Sequence, residues 1–325
     1  MRVLVTGGAG YIGSVVSAAL LEEGYEVDVL DNLSNGHASA VPKGAHLYVG
    51  ETDDRALLDR LLPKVEAVLH FAASIDVGES MQHPIRHFRN NTGRAFVLFE
   101  AMLDHGVGKL VFSSTAALYG NPQRVPIQET DPLQPTNAYG ESKLLVEQAL
   151  VWLNSQNGLR YASLRYFNAA GGCRQRGEDH RPETHLIPII LEVAQGRRPH
   201  ISIFGDDYPT RDGTAVRDYI HVKDLASAHI LALQELERRD RLIYNLGNSV
   251  GFTVKEVIEV VRKVTGHPIP TVIAPRRAGD PAELVASSEA IRKDLGWTPR
   301  FADLESIVAS AWDWRSANPS GYHKA

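Results

Sequence analysis

Residues 2–13 read Arg2-Val3-Leu4-Val5-Thr6-Gly7-Gly8-Ala9-Gly10-Tyr11-Ile12-Gly13. Arg2 to Thr6 is a short β-branched run that reads as a buried strand. Glycines follow at the spacing Gly7-x-x-Gly10-x-x-Gly13. A helical pattern then runs from Ile12 to Glu23 and stops at Gly24, a natural C-terminal glycine. A second strand, Glu26 to Leu30, ends on Asp31. Glycines between a strand and a helix let the backbone approach a pyrophosphate, and the helix N-terminus supplies free N–H groups and a partial positive charge. A glycine motif alone equally describes a tight strand–helix turn. Its place here, with an acid about 20 residues on, is what a dinucleotide site demands. A carboxylate at Asp31 can accept hydrogen bonds from both ribose hydroxyls and repels a 2′-phosphate. The next residues, Asn32-Leu33-Ser34-Asn35, bring no arginine, so the expected cofactor is NAD rather than NADP.

Outward from this unit the alternation continues. Ala45 to Val49 reads as a strand, Asp54 to Leu62 as a helix and Val65 to Ala73 as a strand ending in small residues, which let a flat cofactor pass close by. Pro84 to His105 is a long helical pattern containing Asn90-Asn91. Lys109 to Ser113 is a strand running into Ser113-Ser114-Thr115, and Leu159 to Tyr166 is another. Strands alternating with helices imply an α/β chain with a doubly wound, Rossmann-type parallel sheet. Ligands of such sheets bind at the carboxyl ends of the strands. Thr115 lies just past such an end, where its hydroxyl can meet a substrate oxygen or simply cap a turn. We expect residues 1–170 to form the NAD-binding domain and 171–325 a smaller, mainly substrate-binding α/β domain, with about 213–240 returning to the first.

Composition narrows the class. The chain has 325 residues, 43% hydrophobic and 22% charged, with a net charge of −5. That balance is ordinary for a globular protein and gives no sign of a nucleic-acid surface. No run of about 18 apolar residues is present, so no membrane span is expected. The N-terminus runs straight into the first strand without an h-region or cleavage site, so cytoplasmic residence is expected. Cys173, the single cysteine, excludes an internal disulfide. The thirteen histidines are scattered, His-Glu-x-x-His is absent, and no metal site is assigned.

The stretch Pro135-Thr136-Asn137-Ala138-Tyr139-Gly140-Glu141-Ser142-Lys143 opens a helix near Asn137. Tyr139 and Lys143, four apart, share one helix face. A free phenol titrates near pH ~10, and a fixed cation beside it favours the phenolate. Such a tyrosine can take a proton from a sugar hydroxyl and return it. Alone, Tyr-x-x-x-Lys is common on solvated helices. With the glycine loop, Asp31-Asn32, His70-Phe71-Ala72-Ala73 and Phe112-Ser113-Ser114-Thr115 in this order, the chain resembles the extended short-chain dehydrogenase/reductase superfamily.

The second half is similar to the UDP-glucose 4-epimerase branch of that superfamily. The carriers are Arg165-Tyr166-Phe167-Asn168, the Phe204–Thr214 segment, Val216-Arg217-Asp218-Tyr219-Ile220-His221 and Arg276-Arg277-x-Gly-Asp280. The resemblance implies catalysis by Tyr139, Lys143 and Thr115 through a 4-keto sugar, with hydride held transiently by bound NAD. It implies cofactor contacts from Gly7, Gly10, Tyr11, Ile12, Gly13, Asp31, Asn32, Asn35, Glu51, Thr52, Phe71, Ala72, Ala73, Asn90, Ser113 and Tyr166. It implies UDP-hexose contacts from Asn168, Thr184, His185, Leu186, Asp280 and Leu284. Arg217 and Arg277 would grip the pyrophosphate with paired N–H groups. Without the family, both arginines read equally well as surface ion pairs with Asp218 and Asp280. A homodimer through helices around 90–104 and 143–154 is also implied, and apolar residues on more than one face of Leu144–Leu153 suit burial against both a sheet and a partner.

The chain departs from the family pattern in places. Ile75 stands where relatives carry a lysine, Glu51 replaces an aspartate, Thr115 a serine and Ala169 a proline. Leu284 stands where strict UDP-galactose/UDP-glucose enzymes often carry tyrosine, so N-acetylated sugars can fit. Ala116-Ala117 follow Thr115 where 4,6-dehydratases of this scaffold place Asp-Glu, which argues against dehydration. Epimerases of UDP-glucuronate or UDP-pentoses, and a non-catalytic NAD-sensing regulator, are the remaining alternatives.

Overall fold

Leu4 belongs to the core on one side of the main sheet, Val3 and Val5 to the core on the other, and all three are fully buried. A strand covered on both faces has no need of polar alternation, which is why Val3-Leu4-Val5 reads as one apolar run. The computed structural model describes residues 1–277 and 280–322.

Strands β1 (Arg2–Thr6), β2 (Glu26–Asp31), β3 (His46–Val49), β4 (Ala67–His70), β5 (Lys109–Thr115) and β6 (Arg160–Tyr166) are followed by β7 (Asn168–Ala170), β8 (Ile201–Phe204), β9 (Val216–His221) and β10 (Arg241–Leu246). The last joins the first six in a seven-stranded sheet of order β10-β6-β5-β4-β1-β2-β3. All its pairings are parallel. The direction of winding reverses between β1 and β4, which places the ligand crevice at their carboxyl ends.

Helices α1 (Tyr11–Glu22), α2 (Arg55–Leu61), α3 (Val77–Gln82), α4 (Pro84–His87), α5 (Arg94–Asp104), α6 (Ala138–Asn157), α7 (Leu186–Ala194) and α8 (Val222–Glu235) come in that order. Val16 and Leu20 of α1 and Ala226 and Leu233 of α8 cover one face. Leu58 of α2, Leu98 and Phe99 of α5, and Val146 and Leu150 of α6 cover the other. From β6 the chain passes almost directly into β7, so the smaller C-terminal part starts at the carboxyl edge of the sheet. That part adds β11 (Gly251–Thr253), α9 (Val254–Thr265), β12 (Thr271–Ala274), β13 (Glu283–Leu284), α10 (Glu289–Leu295) and α11 (Leu304–Ala317). Its centre is β9, which pairs with β7, β11 and β13. Ile190, Val257, Val261 and Ile307 form its own core.

Several boundaries follow from capping. Asn137 accepts from Gly140 N–H at 2.8 Å and starts α6 where the sequence places it. Thr253 and Glu256 form the expected capping box of α9. Two expectations need correction. The long helix over 84–105 is broken into α4, a π turn at Phe88–Gly93 and α5. The wide turn carries Asn91, whose buried side chain bonds two other segments, and such turns commonly mark functional sites. The strand expected to reach Ala73 stops at His70, because Phe71–Ser74 leave the sheet at the crevice.

Candidate active site

Thr6 and His70 lie side by side at the ends of β1 and β4, joined by a 2.6 Å hydrogen bond between Thr6 Oγ1 and His70 Nδ1. Beyond them the two loops touch. Gly7 has φ +70°, and a Cβ there would lie 2.6 Å from Ala72 N. A Cβ on Gly13 would lie 2.3 Å from the Gly7 carbonyl oxygen, so only glycine lets the first turn of α1 close on the loop. Helix α1 has no side-chain cap and no acid in its first turn. Its leading N–H groups and partial charge are therefore left for an anion, and the close glycine cradle suits a dinucleotide pyrophosphate. Tyr11 is directed elsewhere, its buried hydroxyl donating to the Gly171 carbonyl at 2.6 Å.

Asp31 ends β2 as expected. Its carboxylate accepts from Ala9 N–H at 3.0 Å and Leu33 N–H at 2.8 Å. Burial raises its pKa while these two bonds work against the rise. Each oxygen retains a lone pair for a ribose hydroxyl. Asn32 donates to Glu51 at 3.0 Å, and Arg94 bonds both Glu51 and Asn90. Glu51 is thus fixed between an asparagine and an arginine, next to buried Thr52, while Asn35 is exposed. Arg94 is absent from the sequence reading, because nothing local signals its pairing with a residue 43 positions away.

The π turn binds the crevice to the catalytic helix. Asn91 accepts from Ser74 N–H at 2.7 Å and donates to the Ser74 carbonyl and the Ser142 hydroxyl at 3.0 Å each. Asn90 donates to the Ser74 hydroxyl at 3.0 Å. The half-buried segment Phe71–Ala73 is therefore positioned by α6, which also carries Tyr139 and Lys143.

Thr115 closes β5 opposite Tyr166 of β6. The Thr115 hydroxyl accepts from Ala117 N–H at 3.1 Å and is a hydrogen-bonding neighbour of the Tyr139 phenol. Lys143 is buried and donates to the Ser113 carbonyl at 2.9 Å. The three groups expected from sequence thus converge beside the carboxyl end of β5. One electrostatic expectation does not hold for the protein alone. Burial raises the Tyr139 pKa more than Thr115 lowers it, and Lys143 contributes no compensating pull. Burial likewise brings Lys143 down to about 7. Desolvation penalises both charged forms, and the ammonium is aimed at a carbonyl, so activating the phenol requires further positive charge.

His70, beneath this site, is held neutral by burial and then by Lys143, with its pKa lowered to about 3. The unfolded chain takes up that proton near pH ~6.5. The folded state therefore loses this contribution as pH falls from 6.5 toward 3. The unfolding free-energy advantage of wild type over His70→Gln is expected to shrink by about 1.4 kcal/mol per pH unit in that window, measured by urea titration. A pH-independent difference would show that His70 is protonated in the fold.

Behind the site, Arg165 and Glu147 form a buried pair, with N–O distances of 2.6 and 3.0 Å. Ser114 donates to Glu147, and Arg165 donates to Tyr119 Oη at 2.9 Å. This network also escapes the sequence reading.

On the substrate side, Asn168 donates to the Asp218 carbonyl at 2.8 Å. Arg217 lies beside Leu284 in register and is engaged by Asp280, while Arg277 sits 4.0 Å over the Phe204 ring. The structure gathers Arg217, Arg277, Asp280 and Leu284, but any anion gripped by Arg217 must compete with Asp280. Asp218 is not its partner, since that carboxylate accepts backbone N–H groups from Asn248, Ser249 and Ala286. Thr184 and His185 precede α7, and both N–H groups donate to Glu183 at 2.9 Å. The His185 ring faces Glu178 at 2.7 Å. Burial would lower its pKa, but Glu178 and then Glu183 overcome this and raise it to about 10.

Residues 3–247 match the NAD dependent epimerase/dehydratase family. A UDP-glucose 4-epimerase of Halalkalibacterium halodurans is 54% identical over 327 residues, covering 99% of this chain and 98% of its own. A crystal structure of a UDP-glucose 4-epimerase superposes with a TM-score of 0.97 at 49% identity and covers 100% of both chains. The UDP-glucose 4-epimerase of Bifidobacterium longum, solved in complex with NAD+ and UDP, superposes with a TM-score of 0.95 at 38% identity, covering 99% of this chain and 100% of that one.

Proposed function

The chain belongs to the NAD dependent epimerase/dehydratase family, and from that premise we propose that it is an isomerase interconverting UDP-galactose and UDP-glucose through a 4-keto sugar. The observation that carries the reading is the convergence of Thr115, Tyr139 and Lys143 beside a glycine cradle, with Ala116 and Ala117 next in the chain. Two alanines cannot move protons, so the site can oxidise and re-reduce a carbinol but has no acid–base pair for eliminating water. Tyr139 takes the proton of the sugar 4-hydroxyl and later gives it back, and Thr115 bonds the same oxygen. Bound NAD supplies a hydride acceptor and donor, and a positive ring that favours the phenolate. Asp31 selects the unphosphorylated ribose. Arg217 and Arg277 hold the pyrophosphate firmly, so that the hexose is free to turn over between faces.

Leu284 is half-buried beside Arg217 and smaller than a tyrosine, which leaves room for an acetamido group. The exposed Trp152, Val151, Phe96 and Ile85 lie on α6, α5 and α4 and mark the face through which two copies would associate.

The test is incubation of the purified protein, without added NAD, with UDP-galactose and separately with UDP-N-acetylgalactosamine, followed by chromatography. Conversion of the first to UDP-glucose is expected, and conversion of the second follows from Leu284. If neither converts even after NAD is supplied, the substrate assignment fails. The same preparation is expected to sediment as a dimer, and a monomer at micromolar concentration would remove the association face alone.

A further inference from the structure

Between the helix that receives the cofactor and the start of α7 lies a cluster that takes no part in the proposed proton and hydride transfers, His185 alone among its members being expected to touch the UDP-sugar. Glu178, His180, Glu183 and His185 each offer one ligand atom, and these atoms lie within 4.8 Å of one another. His180 Nδ1 is 3.2 Å from Glu178 Oε1 and 3.9 Å from Glu183 Oε2. His185 Nδ1 is 2.7 Å from Glu178 Oε1 and 3.2 Å from Glu183 Oε1. Zinc with nitrogen and oxygen ligands at about 2.0–2.2 Å sets tetrahedral neighbours roughly 3.3 Å apart. The observed spacings bracket that value.

A second observation points to a ligand. The Glu183 side chain is 2% exposed, yet its Oε2 has no hydrogen-bond partner. His180 Nδ1 is buried as well and faces Glu178 Oε1 at 3.2 Å without a well-aligned hydrogen bond. Leaving a buried carboxylate oxygen unsatisfied is costly unless something binds it. The other oxygen, Glu183 Oε1, is held by the N–H groups of Thr184 and His185, the outer-shell orientation that metal-binding carboxylates need. Arg315 bonds the Glu178 backbone oxygen, not its carboxylate, so that carboxylate stays available. Two carboxylates balance the charge of a divalent ion when both imidazoles are neutral. A surface cavity of about 450 Å³, lined in part by His180, Glu183 and Arg315, opens beside the cluster and gives an entry path.

We infer that Glu178, His180, Glu183 and His185 form a structural site for one divalent transition-metal ion, with zinc the best match to this mixed imidazole–carboxylate set. Such an ion ties the 178–185 segment into a single unit. It would fix His180, whose ring meets Tyr11 of α1 at 6.4 Å between centroids, and His185, which opens α7.

The test uses full-length, tag-free protein stripped with chelator and titrated with zinc or cobalt. One ion per chain is expected, with the visible bands of tetrahedral cobalt, and zinc should raise the melting temperature. His180→Asn and Glu183→Gln should each weaken binding at least roughly 100-fold. Zinc-edge anomalous diffraction on the wild type, which does not depend on the variants folding, should place the ion among these four side chains. Absence of stoichiometric binding, a peak elsewhere, or undiminished affinity in both folded variants would overturn the site.

Discussion

Replacing Tyr139 by phenylalanine is expected to lower kcat by about 10²–10⁴-fold while leaving NAD bound. The substitution removes one oxygen and keeps the ring, so α6 and its Asn137 cap are undisturbed. The cofactor site is built from other parts: the glycine contacts at Ala72 and Gly7, the uncapped start of α1, and Asp31. What disappears is the group that exchanges a proton with the sugar 4-hydroxyl. Thr115 remains, but its hydroxyl already accepts from Ala117 N–H and has no means of becoming a base near neutral pH. Lys143 cannot substitute either, since its ammonium is bound to the Ser113 carbonyl. Turnover of UDP-galactose together with the NAD content of the gel-filtered variant checks both halves of the expectation. Near-normal turnover would mean that another group moves the proton; loss of NAD as well would mean that the phenol holds the cofactor rather than the substrate.

The parts of this molecule legible in the sequence are those whose cause is local. Val3-Leu4-Val5 announces a strand buried on both faces, Gly24 and Asn137 punctuate helices, and Thr253-x-x-Glu256 is a complete capping box. Helix α3 was equally readable: Asp76 accepts from Glu79 N–H at 2.8 Å, an Asp-x-x-Glu start that the sequence reading passes over. The doubly wound parallel sheet follows from strand–helix alternation, while the order of its strands is seen only in the structure. The misses have a common origin in side chains that find partners far along the chain. Asn91 bends its helix into a π turn because Ser74 and Ser142 lie on either side of it, and neither is its neighbour in sequence. Arg94 and Glu51 meet across the sheet edge in the same way. The fate of Lys143 was also hidden, since helix spacing places it on the face of Tyr139 but cannot show that a carbonyl of β5 claims its ammonium.

Glu147→Ala is expected to destabilise the fold by about 3–5 kcal/mol, the cost of stranding a buried charge. Arg165 is 3% exposed and is the last residue but one of β6 in the main sheet. Its guanidinium bonds both Glu147 oxygens, Tyr119 Oη and the Glu129 carbonyl. Of these only Glu147 carries a charge to balance it within hydrogen-bond distance, and alanine offers nothing in its place. The loss also frees Ser114, which donates to Glu147 and stands between Ser113 and Thr115 in β5. A stability defect should therefore be accompanied by weaker turnover, because the strand end that presents Thr115 is anchored by the same carboxylate. Glu147→Gln removes the charge and keeps one acceptor oxygen but turns the other into a donor facing the guanidinium, so it keeps only part of the bonding and should fall between wild type and alanine. Urea unfolding of the three proteins separates these effects. If the alanine variant lost less than about 1 kcal/mol, Arg165 would have to reach water or another acid, and the buried pair would be setting the geometry of the site without stabilising the fold.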